Sequence, residues 1–250
     1  MTSFALERSK MRSAFYVWMA VAFMTVAVVG FTPVYIAKMM NGTFHGNPIM
    51  HIHGVLFFSW TVLVLVQTYF AATGRVTNHR SLGMIGISLM TAMVITVVLA
   101  AINSYKVAEI DNQGDAARQF SIVSLLGAAT MAAMFATAIV YVSKPEIHKR
   151  LMISLNAIMM NAPLGRVFMV LLAPPDAKGP PPVEVTLGPA IVILAFFAAG
   201  MIYDWRTRGR PHPTYLVGLS VHVLYSAICL LFARSDTWMA IAKGIESLAG

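Results

Sequence analysis

Long apolar runs alternate with short polar joints along the whole chain. Seven of them, at 14–38, 49–73, 83–104, 118–143, 151–173, 186–204 and 212–233, reach membrane-crossing length, because 18 or more apolar residues in a helix span about 30 Å of hydrocarbon. Backbone amides inside a bilayer must be satisfied within the chain, so runs of this length predict helices. The alternating segments of about ten residues that a β-barrel needs are absent. The pattern therefore predicts an all-α polytopic transmembrane bundle, a single integral membrane domain over residues 1–250. The first run continues to Lys38 without a small-residue cleavage site and reads as a retained span rather than a removable signal peptide.

The joints carry their own patterns. Residues 174–185, PPDAKGPPPVEV, hold their five prolines in Pro-Pro steps, which favour extended, polyproline-like backbone and predict a rigid strap. Residues 235–249 place Trp238, Ile241 and Ile245 at helical spacings behind Ser235 and Asp236, which predicts a short interfacial helix.

Composition narrows the class. Charged residues make up 11% of the chain and hydrophobic ones 58%, against about 25% charged in a soluble domain. A soluble enzyme and a nucleic-acid-binding domain are both excluded on that ground. The net charge of +8 follows from topology instead. With the amino terminus inside, the inner segments hold eleven basic residues: Arg8, Lys10, Arg12, Arg75, Arg80, Lys144, Lys149, Arg150, Arg206, Arg208 and Arg210. The outer side holds six, Lys38, Lys106, Arg118, Lys178, Arg234 and Lys243. This bias predicts a cytoplasmic amino terminus and an outer carboxyl terminus, with anionic membrane lipids against the inner face. The one cysteine, Cys229, excludes a disulfide framework.

Candidate chemistry lies with polar residues that are costly to keep among apolar neighbours. In the second run His53, Trp60 and Gln67 recur every seven residues and share one helix face, while His51, two residues from His53, points elsewhere. His222 sits mid-run in the seventh span, on a face with Gly218, Tyr225, Ser226 and Cys229. His53 and His222 are the first candidate ligands for a transition metal or haem iron, on helices that would present them at unequal depths. Arg166 follows Pro163 in the fifth run with no carboxylate in the apolar interiors to neutralise it, so it must snorkel, meet water or bind an anion. His51, His53, Trp60, Gln67, Arg166 and His222 form the expected lining of a ligand site, with Asn103 beside its outer part. A second candidate lies on the inner face. His79, His148 and His212 each stand at a helix start, where, with Asp204, they could converge on one metal or anion. The shared His, basic residue and Leu around His79 and His148 also suggest an internal duplication of helix pairs.

No lysine lies in the core of the seventh span to carry a retinal, and no HExxH, serine elbow or glycine fingerprint is present. The motif of His51, His53, Gly54, Trp60, Gln67, His79, Arg80, Leu82 and Gly83, followed by HKRLM at 148–152, resembles uncharacterised bacterial polytopic membrane proteins of domain-of-unknown-function families, over about half of the chain. That resemblance implies a multi-pass protein of the bacterial cytoplasmic membrane and carries no assigned activity. A looser similarity, in the histidines held by helices, is to membrane haem proteins and oxidase assembly factors. Three functions are compatible with these residues: a metal- or haem-binding redox or assembly protein, a carrier or binding protein for a lipidic or anionic small molecule, and a non-catalytic scaffold subunit with a membrane protein partner or a second copy of itself.

Overall fold

A computed structural model of the chain describes residues 3–174, 177 and 179–248, with side chains from Ala14 onward. The side chains of Arg8, Lys10 and Arg12, the placement of Lys178 and part of the proline-rich joint lie outside the described residues. Ten α-helical segments occur among the described residues: α1 (Ser3–Phe31), α2 (Ala37–Met40), α3 (Pro48–Ala72), α4 (Val76–Ile110), α5 (Gly114–Val140), α6 (Pro145–Met159), α7 (Asn161–Leu172), α8 (Leu187–Arg208), α9 (Pro213–Phe232) and α10 (Asp236–Ser247). They build seven helical spans long and apolar enough to cross a membrane: Ala14–Met40, Pro48–Ala72, Val76–Ile110, Gly114–Val140, Pro145–Leu172, Val183–Arg208 and Pro213–Phe232. The protein is an all-α polytopic membrane bundle.

Two spans are not regular helices, and proline is the cause in each. Pro33 lacks an N–H and sits inside the first span, where Thr32–Ile36 widens into a π-turn between α1 and α2. In the fifth span the chain breaks at Met160, and Pro163 lies in the first turn of the new helix α7, where its missing N–H costs least. The Asn161 side-chain amide donates to the Ile158 carbonyl at that break (3.1 Å). Elsewhere capping matches the local sequence. Asn47 caps α3, accepting from the Ile49 N–H (3.1 Å), and Ser235 caps α10, accepting from the Trp238 N–H (3.2 Å).

The fifth span is the axis of the bundle. Spans one to five follow one another around a ring, with span five closing it on span one, and spans six and seven pack on the far side of span five. Inside the ring Trp60 is buried, and its indole Nε1–H donates to Asn156 Oδ1 (3.0 Å) among Met90, Met93, Met131, Met134 and Phe135. Asn156 in turn donates to the Met152 carbonyl (2.8 Å), so both buried polar groups are satisfied. On the other side Gly218 brings span seven against Ser154 of span five: a Cβ there would lie 2.4 Å from Ser154 Oγ. Met19, Met90, Met93, Met131, Met134 and Met160 fill the core as soft packing.

The carboxyl-terminal helix α10 falls within the segment expected to be helical and packs against α4 and α5. Its Ala242 is buried, Trp238 Nε1–H donates to the Arg118 carbonyl (2.8 Å), and Glu246 accepts from Arg118 Nε (2.9 Å). Arg118 also pairs with Asp115 and Glu109, so it ties α10 to α4 and α5. Where the proline-rich joint is described it ends in a short 3₁₀ turn, Val183–Thr186, whose Glu184 pairs with Arg234 (2.6 Å).

Candidate functional site

Four polar clusters stand out, and the first is at the end of the bundle that holds His51. The π-turn carries Tyr35 to His51, where the phenol and Nδ1 share a hydrogen bond of 3.0 Å beside Phe44. His53, two residues on, points into the bundle, its ring against Phe57 (4.4 Å), with Nδ1 buried and without a partner. Arg166 of α7 is close enough to act on His53 electrostatically. Its guanidinium lies 5.5 Å from the centre of the Phe31 ring and donates to the Ala162 carbonyl (3.2 Å). Among the described residues no carboxylate pairs with it. Phe31 also meets Phe58 edge-on (5.9 Å). Phe58 lines an open groove of about 400 Å³ with Tyr35, Gly54, Val55, Ser59 and Val62. The cluster therefore combines a half-buried cation, a free imidazole nitrogen and an adjoining apolar groove.

The seven-residue stripe turns inward throughout. His53 and Gln67 carry buried polar atoms, and Trp60 between them is fully buried. Gln67 differs from Trp60 in that both atoms of its amide lack a partner. Asn103 is half-buried, and among the described residues no hydrogen bond joins it to His53 or Arg166.

His222 belongs to a different part of the bundle. It is fully buried, its Nε2–H donates to the Ala190 carbonyl of span six (3.0 Å), and its ring stacks near Phe197 (5.9 Å). Its neighbours on the face bind backbone too: Tyr225 donates to the Val123 carbonyl (2.8 Å) and Ser226 to the His222 carbonyl (2.9 Å). Span two packs on spans one and three, whereas span seven packs on spans four, five and six. His53 and His222 therefore find their partners on separate helices.

The second candidate quartet, His79, His148, His212 and Asp204, divides into two. Asp204 is fully buried and belongs to Arg150, itself 1% exposed: Arg150 Nε donates to Asp204 Oδ2 (2.7 Å), and a second guanidinium nitrogen bonds Oδ1. The remaining Arg150 nitrogen reaches Glu146 Oε2 (2.8 Å), which also accepts from Arg208. Asp204 Oδ2 further accepts the His212 backbone N–H (3.1 Å), and His212 Nδ1 accepts from the Thr214 N–H (3.2 Å), capping α9. Burial, with the Arg150 and Arg208 guanidiniums, lowers the His212 pKa below its ordinary value of 6.5, consistent with a neutral ring acting as acceptor. This group is a buried charge lock joining spans five, six and seven. In the sequence Arg150 stands among the basic residues of a polar joint, and the local sign of its pairing is Glu146, one helical turn before it.

The other half of the quartet is a pair. His79 and His148 lie side by side, their rings perpendicular (86°) in an edge arrangement with centres 6.4 Å apart. Each is the fourth residue of its helix, and each Nδ1 meets a backbone carbonyl of the preceding span, Gln67 (3.2 Å) and Ala138 (2.8 Å). The matching placement is what a duplicated helix pair would leave. Among the described residues no group of three or more His, Cys, Asp or Glu side chains is assembled to hold a metal ion.

These features define a class, a polytopic membrane protein with polar groups held inside its spans. Comparison with family models, with curated proteins and with solved structures yields no match.

Proposed function

We propose that the protein is a binding protein or carrier for an anionic, lipid-borne group, and that Arg166 and His53 hold that group. The observation that carries the reading is Arg166. A guanidinium has five N–H donors, and the only hydrogen bond described for this one goes to its own helix, at Ala162. A charge kept within a span without a counter-charge costs several kcal/mol unless water or a bound anion meets it. A phosphate or carboxylate would be met bidentately by the guanidinium, and a water bound to that group would donate to His53 Nδ1, the acceptor nitrogen of a ring whose other nitrogen meets the Thr96 carbonyl. The open groove lined by Tyr35, Phe58 and Val62 connects to Arg166 through the Phe58–Phe31 ring contact and suits an acyl chain. The test is the lipid complement of purified protein. Wild type is expected to retain phosphatidylglycerol over phosphatidylcholine from a mixed micelle, and Arg166→Gln to lose at least tenfold of that preference. Equal retention by the variant overturns the reading.

The same proposal places the chain in a bacterial cytoplasmic membrane with its amino terminus inside and carboxyl terminus outside. The basic bias of the short joints supports that orientation. Single cysteines at Thr77 and Asn112, on a background where the only native thiol, Cys229, is buried, are expected to label from opposite sides, Thr77 from the cytoplasm. Labelling of both from one side, or in reverse, contradicts it.

A further inference from the structure

We propose that His79 and His148 form a two-imidazole binding site for a copper-class transition-metal ion at the mouth of spans two to five, separate from the anion site and independent of it. The chemistry begins with the tautomers. A backbone carbonyl only accepts, so Nδ1 of each ring must carry the proton it donates to Gln67 and to Ala138. A neutral imidazole protonated at Nδ1 bears its lone pair on Nε2, and no hydrogen bond to either Nε2 occurs among the described residues. An Nδ1–H held by a backbone carbonyl with Nε2 left open is the arrangement that orients metal-ligating histidines and raises their basicity.

The spacing of the rings agrees. With a nitrogen–metal bond of about 2.0 Å and about 1.1 Å from nitrogen to ring centre, two imidazoles on opposite sides of one ion place their centres about 6.2 Å apart. The observed separation is 6.4 Å. A trans pair of nitrogens, which this spacing admits, would suit the tetragonal geometry of copper(II) or nickel(II) better than the tetrahedral geometry of zinc. Both rings are only half-buried, so an ion and its waters can reach them from the aqueous side. The second observation is Gln67. Its amide is buried with both polar atoms unpaired, and its Nε2 lies 3.8 Å from where a Cβ of Gly83 would be. Gly83 is one turn from His79 on the same helix face. The unpaired amide therefore stands in the layer next to the rings, where it can accept a hydrogen bond from metal-bound water. Arg80 acts on His79 electrostatically, which favours an anionic ligand such as hydroxide or chloride at an open position.

Asparagine substitutions separate ligation from structure, because the Asn side-chain N–H can replace the Nδ1–H donor while Nε2 is removed. Chelator-stripped, detergent-purified protein is titrated with copper(II), followed by elemental analysis after dialysis and by electron paramagnetic resonance. Wild type is expected to hold one copper per chain, with hyperfine splitting from two imidazole nitrogens. His79→Asn and His148→Asn, each checked for an unchanged Tm, are expected to weaken binding at least tenfold and leave the signature of one nitrogen. His212→Asn is expected to bind as wild type does. If wild type retains under about 0.1 copper per chain, or if both Asn variants retain copper as wild type does, the site does not exist. Neither result bears on phospholipid retention at Arg166.

Discussion

Replacing Asp204 with alanine is expected to lower the Tm of the detergent-solubilised protein by roughly 10 °C, corresponding to about 3–5 kcal/mol. The Arg150 guanidinium is 1% exposed, and it donates through two nitrogens to a carboxylate with no exposure at all. Removing that carboxylate leaves a buried cation supported on one side only, by Glu146. It also strips the His212 N–H of its acceptor where the chain turns into span seven. The intact pair is worth far less than this loss suggests, because desolvating both ions offsets most of their attraction. The double variant Arg150→Met/Asp204→Leu is therefore expected to recover most of the lost stability. A fall below about 1 kcal/mol in the single variant, or a double variant as unstable as the sum of two single ones, contradicts the buried lock.

Gly30→Ala is expected to destabilise the bundle by about 1–3 kcal/mol or more, the range for overpacking. At Gly30 the first span crosses the fifth so closely that a Cβ would lie 2.3 Å from the Pro163 carbonyl oxygen and 2.7 Å from its Cα. Both are backbone atoms of a helix start, which no rotamer change can move aside, so the spans must separate. Small residues at such crossings are what let membrane helices approach. Gly165→Ala, two residues further along the same helix, is the matched control. Nothing lies within 4 Å of its Cβ position, and helix propensity there favours alanine by about 0.8–1.0 kcal/mol. Thermal unfolding is expected to separate the two variants in opposite directions. Equal Tm values contradict the close crossing.

The seven spans were legible because length and apolarity alone decide them, and the differences lie at the ends. The third span starts at Val76 rather than 83 and the fifth at Pro145 rather than 151. Hydropathy stops at the first polar residues, whereas the backbone continues helical through His79, Arg80, His148 and Lys149 to satisfy its amides. The inward turn of His53, Trp60 and Gln67 was readable from a seven-residue spacing. The Trp60–Asn156 bond was not, since its partners are far apart in sequence and nothing local joins them. The same holds for Arg150 and Asp204. Asp204 was singled out as a carboxylate for a metal, but its partner is a guanidinium that composition placed among the headgroups. The π-turn had a visible cause in Pro33, yet its effect, bringing Tyr35 to His51, depends on how the first two spans pack. His79 and His148 were grouped with His212 by position at helix starts, and only packing shows which of the three meet.

Native mass spectrometry of the protein released from micelles containing phosphatidylglycerol and phosphatidylcholine tests the proposed anion site most directly. Wild type is expected to emerge with one phosphatidylglycerol that survives collisional activation, and free phosphate added in excess is expected not to displace it, since the proposed site would also hold the acyl chain, in the groove lined by Phe58. Arg166→Gln is expected to lose that adduct and His53→Ala to weaken it. An adduct of equal strength in Arg166→Gln, or no preference for the anionic lipid in wild type, contradicts the account.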